Sequence, residues 1–321
     1  MQELDHYKKG IDSAVERLKK SHEGSIYDPV HYLMSLPAKR IRPILTLMAS
    51  DIFDGELKDT QDVALAVELF HNFSLMHDDI MDEAPLRRGE PTVHKKWDKN
   101  VAILSGDAML VMAYEFIMKS PEISRQRAFN IFSKMASEVC YGQQLDMEFE
   151  KRWEVTKAEY FEMIKYKTSV LVGASLELGA IAAGGDQYSQ EKLYEFGVEI
   201  GLAFQIQDDF LDLFGDDAKV GKQMGGDIIA KKKTILLLAA LDKANNAQKD
   251  RLYQIYMGDV GPDAIKEVKN MMEFLKVPEE VSDMKNDHME KAQAALNEVG
   301  GNDVIKEKLW NLAMALTDRE Y

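Results

Sequence analysis

Six aspartates fall into two copies of one spacing: Asp78, Asp79 and Asp82 in HDDIMD, and Asp208, Asp209 and Asp212 in QDDFLD. Each D-D-x-x-D closes an apolar-periodic run that reads as a helix, so its first and last carboxylates lie one turn apart on one face. Like charges stacked in this way repel, and a divalent cation removes that cost. Mg²⁺ commonly takes one or two carboxylates and fills its other positions with phosphate oxygens and water. Arg87 and Arg88 follow the first copy, and their planar guanidiniums suit bidentate phosphate binding. One acidic cluster alone is weak, because solvated helix ends look the same. Two on separate helices, one followed by R-R-G, point to a metal-bridged diphosphate site.

Further cations are spread along the chain. PAKRIRP sets Lys39, Arg40 and Arg42 between Pro37 and Pro43 at a helix start, where free backbone N–H groups add positive potential. A solubilising basic turn is an equal reading of that segment by itself. His71 lies seven residues before Asp78, two turns back and roughly 10 Å away; a lone helical histidine is more often structural. Lys167 and Thr168 interrupt an apolar stretch in which a lysine can simply snorkel. Gln205 stands one turn before the second acidic motif. The segment GDDAKVGKQMGGDIIAKKKT, which carries Lys222 and the run Lys231-Lys232-Lys233, has the glycine and charge content of a surface loop.

Taken together, these residues resemble the trans-isoprenyl diphosphate synthases, the family of farnesyl and geranylgeranyl diphosphate synthases. The resemblance runs from about Lys39 to the C-terminus. It rests on K-x-x-R-P at Lys39 and Arg42, H-x-x-S-L-x-H-D-D from His71, R-R-G, the K-T pair at Lys167 and Thr168, and the second acidic motif. The chain departs from the family at Ala38, where the pattern has glycine. The resemblance implies an all-α helical bundle around a central cavity and condensation of isopentenyl diphosphate with an allylic diphosphate through a Mg²⁺-triggered allylic cation. It implies three Mg²⁺ ions held by Asp78, Asp82 and Asp208, with Asp79, Asp209 and Asp212 as further ligands or supports. Arg87, Lys167, Lys222 and Lys232 would cage the allylic diphosphate, the register among the three consecutive lysines being open. Lys39, Arg42, His71 and Arg88 would hold isopentenyl diphosphate, while Thr168 and Gln205 would stabilise the passing cation. A homodimer is implied as well. Phe73 and Ser74, five and four residues before Asp78, form the expected floor for the growing chain. One aromatic there, with no insertion in the first motif, favours geranylgeranyl over farnesyl diphosphate as product.

The elements that must carry these groups read as helices throughout, with no strand-like alternation. The central one runs from about Asp62 to Asp82. Others cover 101–119, 121–147, 155–183 and 189–214, and four short amphipathic helices fill the C-terminal third. No linker or low-complexity tract divides the chain, so residues 1–321 read as one domain. Hydrophobic residues make up 45% and charged residues 30%, a globular composition. A formal net charge of −15 argues against a nucleic-acid partner and makes the local basic clusters candidates for meeting anions. The single cysteine, Cys140, reads as a small core residue, allows no intrachain disulfide and fits a cytoplasmic location. No apolar run reaches the length of a membrane span, so no stable insertion is expected. A class I terpene cyclase would lack the isopentenyl-binding set. A regulatory subunit would have lost acidic residues that are all present here.

Overall fold

The central helix, α4 (Leu57–Met81), is apolar on nearly every side: Val63 to Val67, Leu69, Phe70, Phe73 and Met76 are all buried. A helix of that kind belongs in a core. The computed structural model describes residues 4–215 and 225–318 and is almost entirely helical. Those residues gather into two compact units, each assembled from separate stretches of chain. Residues 1–136, 171–194 and 298–309 form the first, and 137–170, 195–297 and 310–321 the second.

In the first unit, α1 (Asp5–Ser21) and α3 (Ile41–Asp51) pack on α4. So does α6 (Lys99–Ile117), which also carries α2 (Asp28–Ser35) and the short α5 (Val93–Lys96). By length and composition α6 is apolar enough to cross a bilayer, contrary to the sequence-based expectation. Met109, Met112, Ala113 and Phe116 on it are buried, whereas Ile103, Leu104 and Val111 are exposed.

The second unit takes the ends of α7 (Arg125–Glu150) and α10 (Gln187–Phe214), together with α8 (Lys157–Ile164) and α11 (Gly226–Ile229). Helix α12 (Ile235–Lys243) packs on α8, on α14 (Pro262–Phe274) and on α15 (Val277–Asn297). The remaining helices are α9 (Val170–Ala182), α13 (Asn246–Met257) and α16 (Asp303–Thr317).

Three features depart from the sequence reading. Leu86–Arg87 and Glu90–Pro91 form a two-residue antiparallel pair, β1 and β2. Arg88 and Gly89 turn between them at φ +55° and +84°. Both central residues are left-handed, the backbone of a tight hairpin and the reason R-R-G ends in glycine. The expected helix over 155–183 is broken by a π-helical turn at Lys165–Ser169. Cys140, expected in the core, is exposed.

Candidate active site residues in two acidic clusters

The first cluster is built at the end of α4. Its last turn contains no basic residue, so Asp78 sits where the helix dipole is negative and Asp82 follows as the cap. Acidic groups are disfavoured there, and an external cation relieves them. Asp78 is half-buried and Asp82 exposed. Asp79 differs: it is 3% exposed and accepts three hydrogen bonds from Arg87, two from Nε at 2.9 and 2.8 Å and one from Nη2 at 2.7 Å. The hairpin therefore ties Arg87 back to the acidic helix through Asp79.

Two turns back along α4 lies a half-buried basic cluster. Arg42 Nη1 donates to His71 Nε2 at 3.2 Å, which leaves the His71 proton on Nδ1. Burial, with the charges of Arg42, Arg88, Arg87 and Arg40 behind it, holds the His71 pKa well below the usual imidazole range, so the ring is neutral. Arg42 Nε and Arg88 Nη1 are buried and have no hydrogen-bond partner among the described residues. Lys39 is exposed beside them in sequence. Arg40 corrects the sequence reading. It caps α3 at φ +54° and is 7% exposed; its guanidinium donates to Glu68 Oε1 and to the Met34 carbonyl, so it faces no solvent-borne anion.

Phe73 is 7% exposed and packs on Phe70 and His77, with ring centroids 5.5 and 4.8 Å away. Phe70 in turn meets Phe132. Ser74 is half-buried and its Oγ donates to the His71 carbonyl, so it presents little bulk.

The second cluster surrounds a cavity of about 150 Å³ lined by Asp146, Lys167, Thr168, Gln205, Asp209, Asp227, Lys232 and Lys233, with Phe149, Tyr160 and Met163 among the apolar walls. Asp208 is half-buried on α10. Asp209 is 5% exposed and fully engaged: Tyr160 OH donates at 2.6 Å, Gln205 Nε2 at 3.1 Å and the Ile235 amide at 3.3 Å. Burial, followed by the Asp227 charge, pushes its pKa up to about 7 against those hydrogen bonds. Asp212 Oδ2 accepts the Asp227 amide at 3.0 Å and so starts α11. Asp209 and Asp212, like Asp79, each accept hydrogen bonds from the protein in this structure. Thr168 Oγ1 donates to Gln205 Oε1 at 3.3 Å, and Gln205 in turn donates to Asp209, which fixes the amide orientation.

The π turn presents Lys167, whose Nζ donates to Asp146 Oδ2. Two glycines make room for it. A Cβ on Gly142 would stand 2.2 Å from the Lys167 amide nitrogen, and one on Gly201 would stand 2.6 Å from Ser169 Cα. The three consecutive lysines diverge. Lys233 is buried, donating to the Lys231 and Glu150 carbonyls, whereas Lys232 is exposed and 3.9 Å from Asp227. Lys222 lies outside the described residues.

Sequence reading passed over Asp146, Tyr160, Asp227, Glu68, Gly142 and Gly201. The signal for Asp146 was present in GQQLD, a carboxylate one turn after a helical glycine. Tyr160 carried none, since only the tertiary contact with Asp209 distinguishes it. No group of three or more His, Cys, Asp or Glu is preassembled for a metal among the described residues. The donor set nevertheless fits Mg²⁺, whose coordination is completed by substrate phosphates and water around one or two carboxylates; Asp78, half-buried in the last turn of α4, is such a donor.

Acidic motifs closing two helices, each backed by basic groups, define a diphosphate-handling helical protein. The chain belongs to the polyprenyl synthetase family, whose pattern it matches over residues 23–275. It is 35% identical to the short chain isoprenyl diphosphate synthase of Methanothermobacter thermautotrophicus, over all of both chains. It is 38% identical to the geranylgeranyl diphosphate synthase of Methanosarcina mazei over 75% of each. A crystal structure of a geranylgeranyl pyrophosphate synthase superposes with a TM-score of 0.92 at 40% identity, covering 99% of each chain.

Proposed function

We infer that this protein is a short-chain trans-prenyltransferase joining isopentenyl diphosphate to an allylic diphosphate, with geranylgeranyl diphosphate as product. One observation carries the reading. Arg42 Nε and Arg88 Nη1 are buried with no hydrogen-bond partner among the described residues, and Arg88 follows the carboxylates Asp78, Asp79 and Asp82 at the end of α4. Unsatisfied buried donors are costly, and a diphosphate offers the oxygens that complete them. The names of the relatives support both the reaction and the twenty-carbon product.

In this reading Lys39, Arg42, His71 and Arg88 hold isopentenyl diphosphate. Asp78, Asp82 and Asp208 would hold three Mg²⁺, with Asp79, Asp209 and Asp212 as further ligands or supports. Arg87, Lys167, Lys222 and Lys232 bind the allylic diphosphate. Bound Mg²⁺ supplies Lewis-acid neutralisation of the departing pyrophosphate. The allylic C–O bond breaks with its electron pair leaving on pyrophosphate. The isopentenyl double bond then attacks the cation, and loss of one proton to the released pyrophosphate restores a double bond. Lys167 steadies the leaving group, and the oriented dipoles of Thr168 and Gln205 face the passing cation. Homodimer formation through the exposed Ile103, Leu104 and Val111 of α6 fits the apolar surface left there. The lone thiol Cys140 fits a cytoplasmic setting.

Isopentenyl diphosphate consumption should equal pyrophosphate release and require both an allylic diphosphate and Mg²⁺. Pyrophosphate release without isopentenyl consumption would overturn the assignment. Phe73 closes the space below Asp78 in this account, so Phe73→Ala is expected to move the product from twenty carbons toward twenty-five and beyond, read by product mass. An unchanged profile would relocate the floor.

A further inference from the structure

The basic cluster around Arg42 holds one buried carboxylate that the reaction does not use. Glu68 is 1% exposed on α4, three residues before His71. Its Oε1 accepts from Arg40 and, at 2.8 Å, from Asn72 Nδ2. Asn72 Nδ2 also donates to the Glu68 carbonyl, so the side-chain amide is held on the helix. Arg40 spans from this carboxylate to the Met34 carbonyl while adopting the left-handed backbone that starts α3 and sets out Arg42 two residues on. The Glu68 charge reaches Arg42 and Arg88: burial lowers both guanidinium pKa values, and Glu68 opposes that lowering in each case. Arg40 acts the other way, adding to the lowering at His71 and Arg88.

We propose that Glu68 and Arg40 are a positioning pair whose opposite buried charges set the affinity of the Arg42–His71–Arg88 cluster for a diphosphate, without either residue touching it. This rests on the isopentenyl-binding assignment above. Glu68 lowers the positive potential that an incoming anion meets, which moderates binding so that the site releases as well as captures its ligand. Arg40 cancels most of that charge and fixes the turn. Opposite charges in one buried pair make a prediction that a purely structural pair does not: neutralising one member must shift anion affinity in the opposite direction from neutralising the other.

The test compares Glu68→Gln, Arg40→Gln and the double variant. Each glutamine keeps an acceptor or donor in the network while removing one charge. Glu68→Gln should lower the KM for isopentenyl diphosphate by on the order of tenfold, the effect of one unit charge at partly screened distance. Arg40→Gln should raise it by a similar factor, and the double variant should return close to the parent value. KM for the allylic diphosphate should stay within twofold in all three. Inorganic pyrophosphate, titrated calorimetrically without turnover, should follow the same order. Single variants that shift isopentenyl KM in one common direction, or that shift both substrates equally, would overturn the proposal.

A buried unpaired charge can prevent folding. Arg40→Lys therefore stands as the control: charge is kept and the fork lost, so isopentenyl KM should remain near the parent value, and a tenfold rise would equally refute the charge account. Absence of any isopentenyl turnover in the parent protein would instead refute the functional assignment, so the two failures are distinguishable.

Discussion

Asp78→Ala and Asp208→Ala are expected to lose turnover by ~10³ or more, while circular dichroism remains that of the parent. A loss of that size corresponds to about 4 kcal/mol of transition-state stabilisation, within what a metal ion contributes to a departing diphosphate. Folding should respond in the opposite sense for Asp78. It sits in the last turn of α4, where the helix dipole disfavours a negative charge by about 0.3–1 kcal/mol. The melting temperature should hold or rise slightly as activity disappears. Asp79→Ala is the contrast. It strips Arg87 of its bidentate partner and should lower both activity and melting temperature. Retained activity in Asp78→Ala would remove the metal-ligand assignment, and a large loss of helicity would make its inactivity uninformative.

Gly142→Ala is the second large effect. The added methyl would lie 2.2 Å from the Lys167 amide nitrogen, a backbone atom that cannot swing aside as a side-chain tip can. Relief requires the π turn to move, and Lys167 and Thr168 move with it. Displacement of a catalytic group by about 1 Å costs ~10²-fold in rate, whereas overpacking costs about 1–3 kcal/mol of stability. A folded protein with a modestly lower melting temperature and kcat reduced ~10²-fold is the expected result. Gly201→Ala, pressing on Ser169 Cα from the other helix, should act in the same way with a smaller effect. Wild-type kcat in both variants would show that the π turn is not what positions Lys167.

Periodicity was enough to place α4, α10 and the helices of the C-terminal third, because their apolar faces repeat over many turns. It could not reveal the π turn, since an inserted residue shifts a face without altering composition; only the two glycines packed against it make it possible. Motif spacing made candidates of Asp78, Asp208, Arg42 and Lys167, because charge and local helix geometry can be read from spacing. Only the resemblance at K-x-x-R-P set Arg42 apart from Arg40, two arginines in one basic turn, because what gives Arg40 its own role is a buried partner twenty-eight residues on. The same limit hid Tyr160 behind Asp209. The strands at Leu86 and Glu90 are too short to show alternation; their only sequence mark was the glycine of the turn.

The most direct measurement supplies purified protein and Mg²⁺ with isopentenyl diphosphate and, separately, dimethylallyl, geranyl and farnesyl diphosphates, and reads product mass. The account predicts stepwise additions of five carbons ending at a twenty-carbon diphosphate from every accepted starter. Release of pyrophosphate with no five-carbon addition from any starter would contradict it.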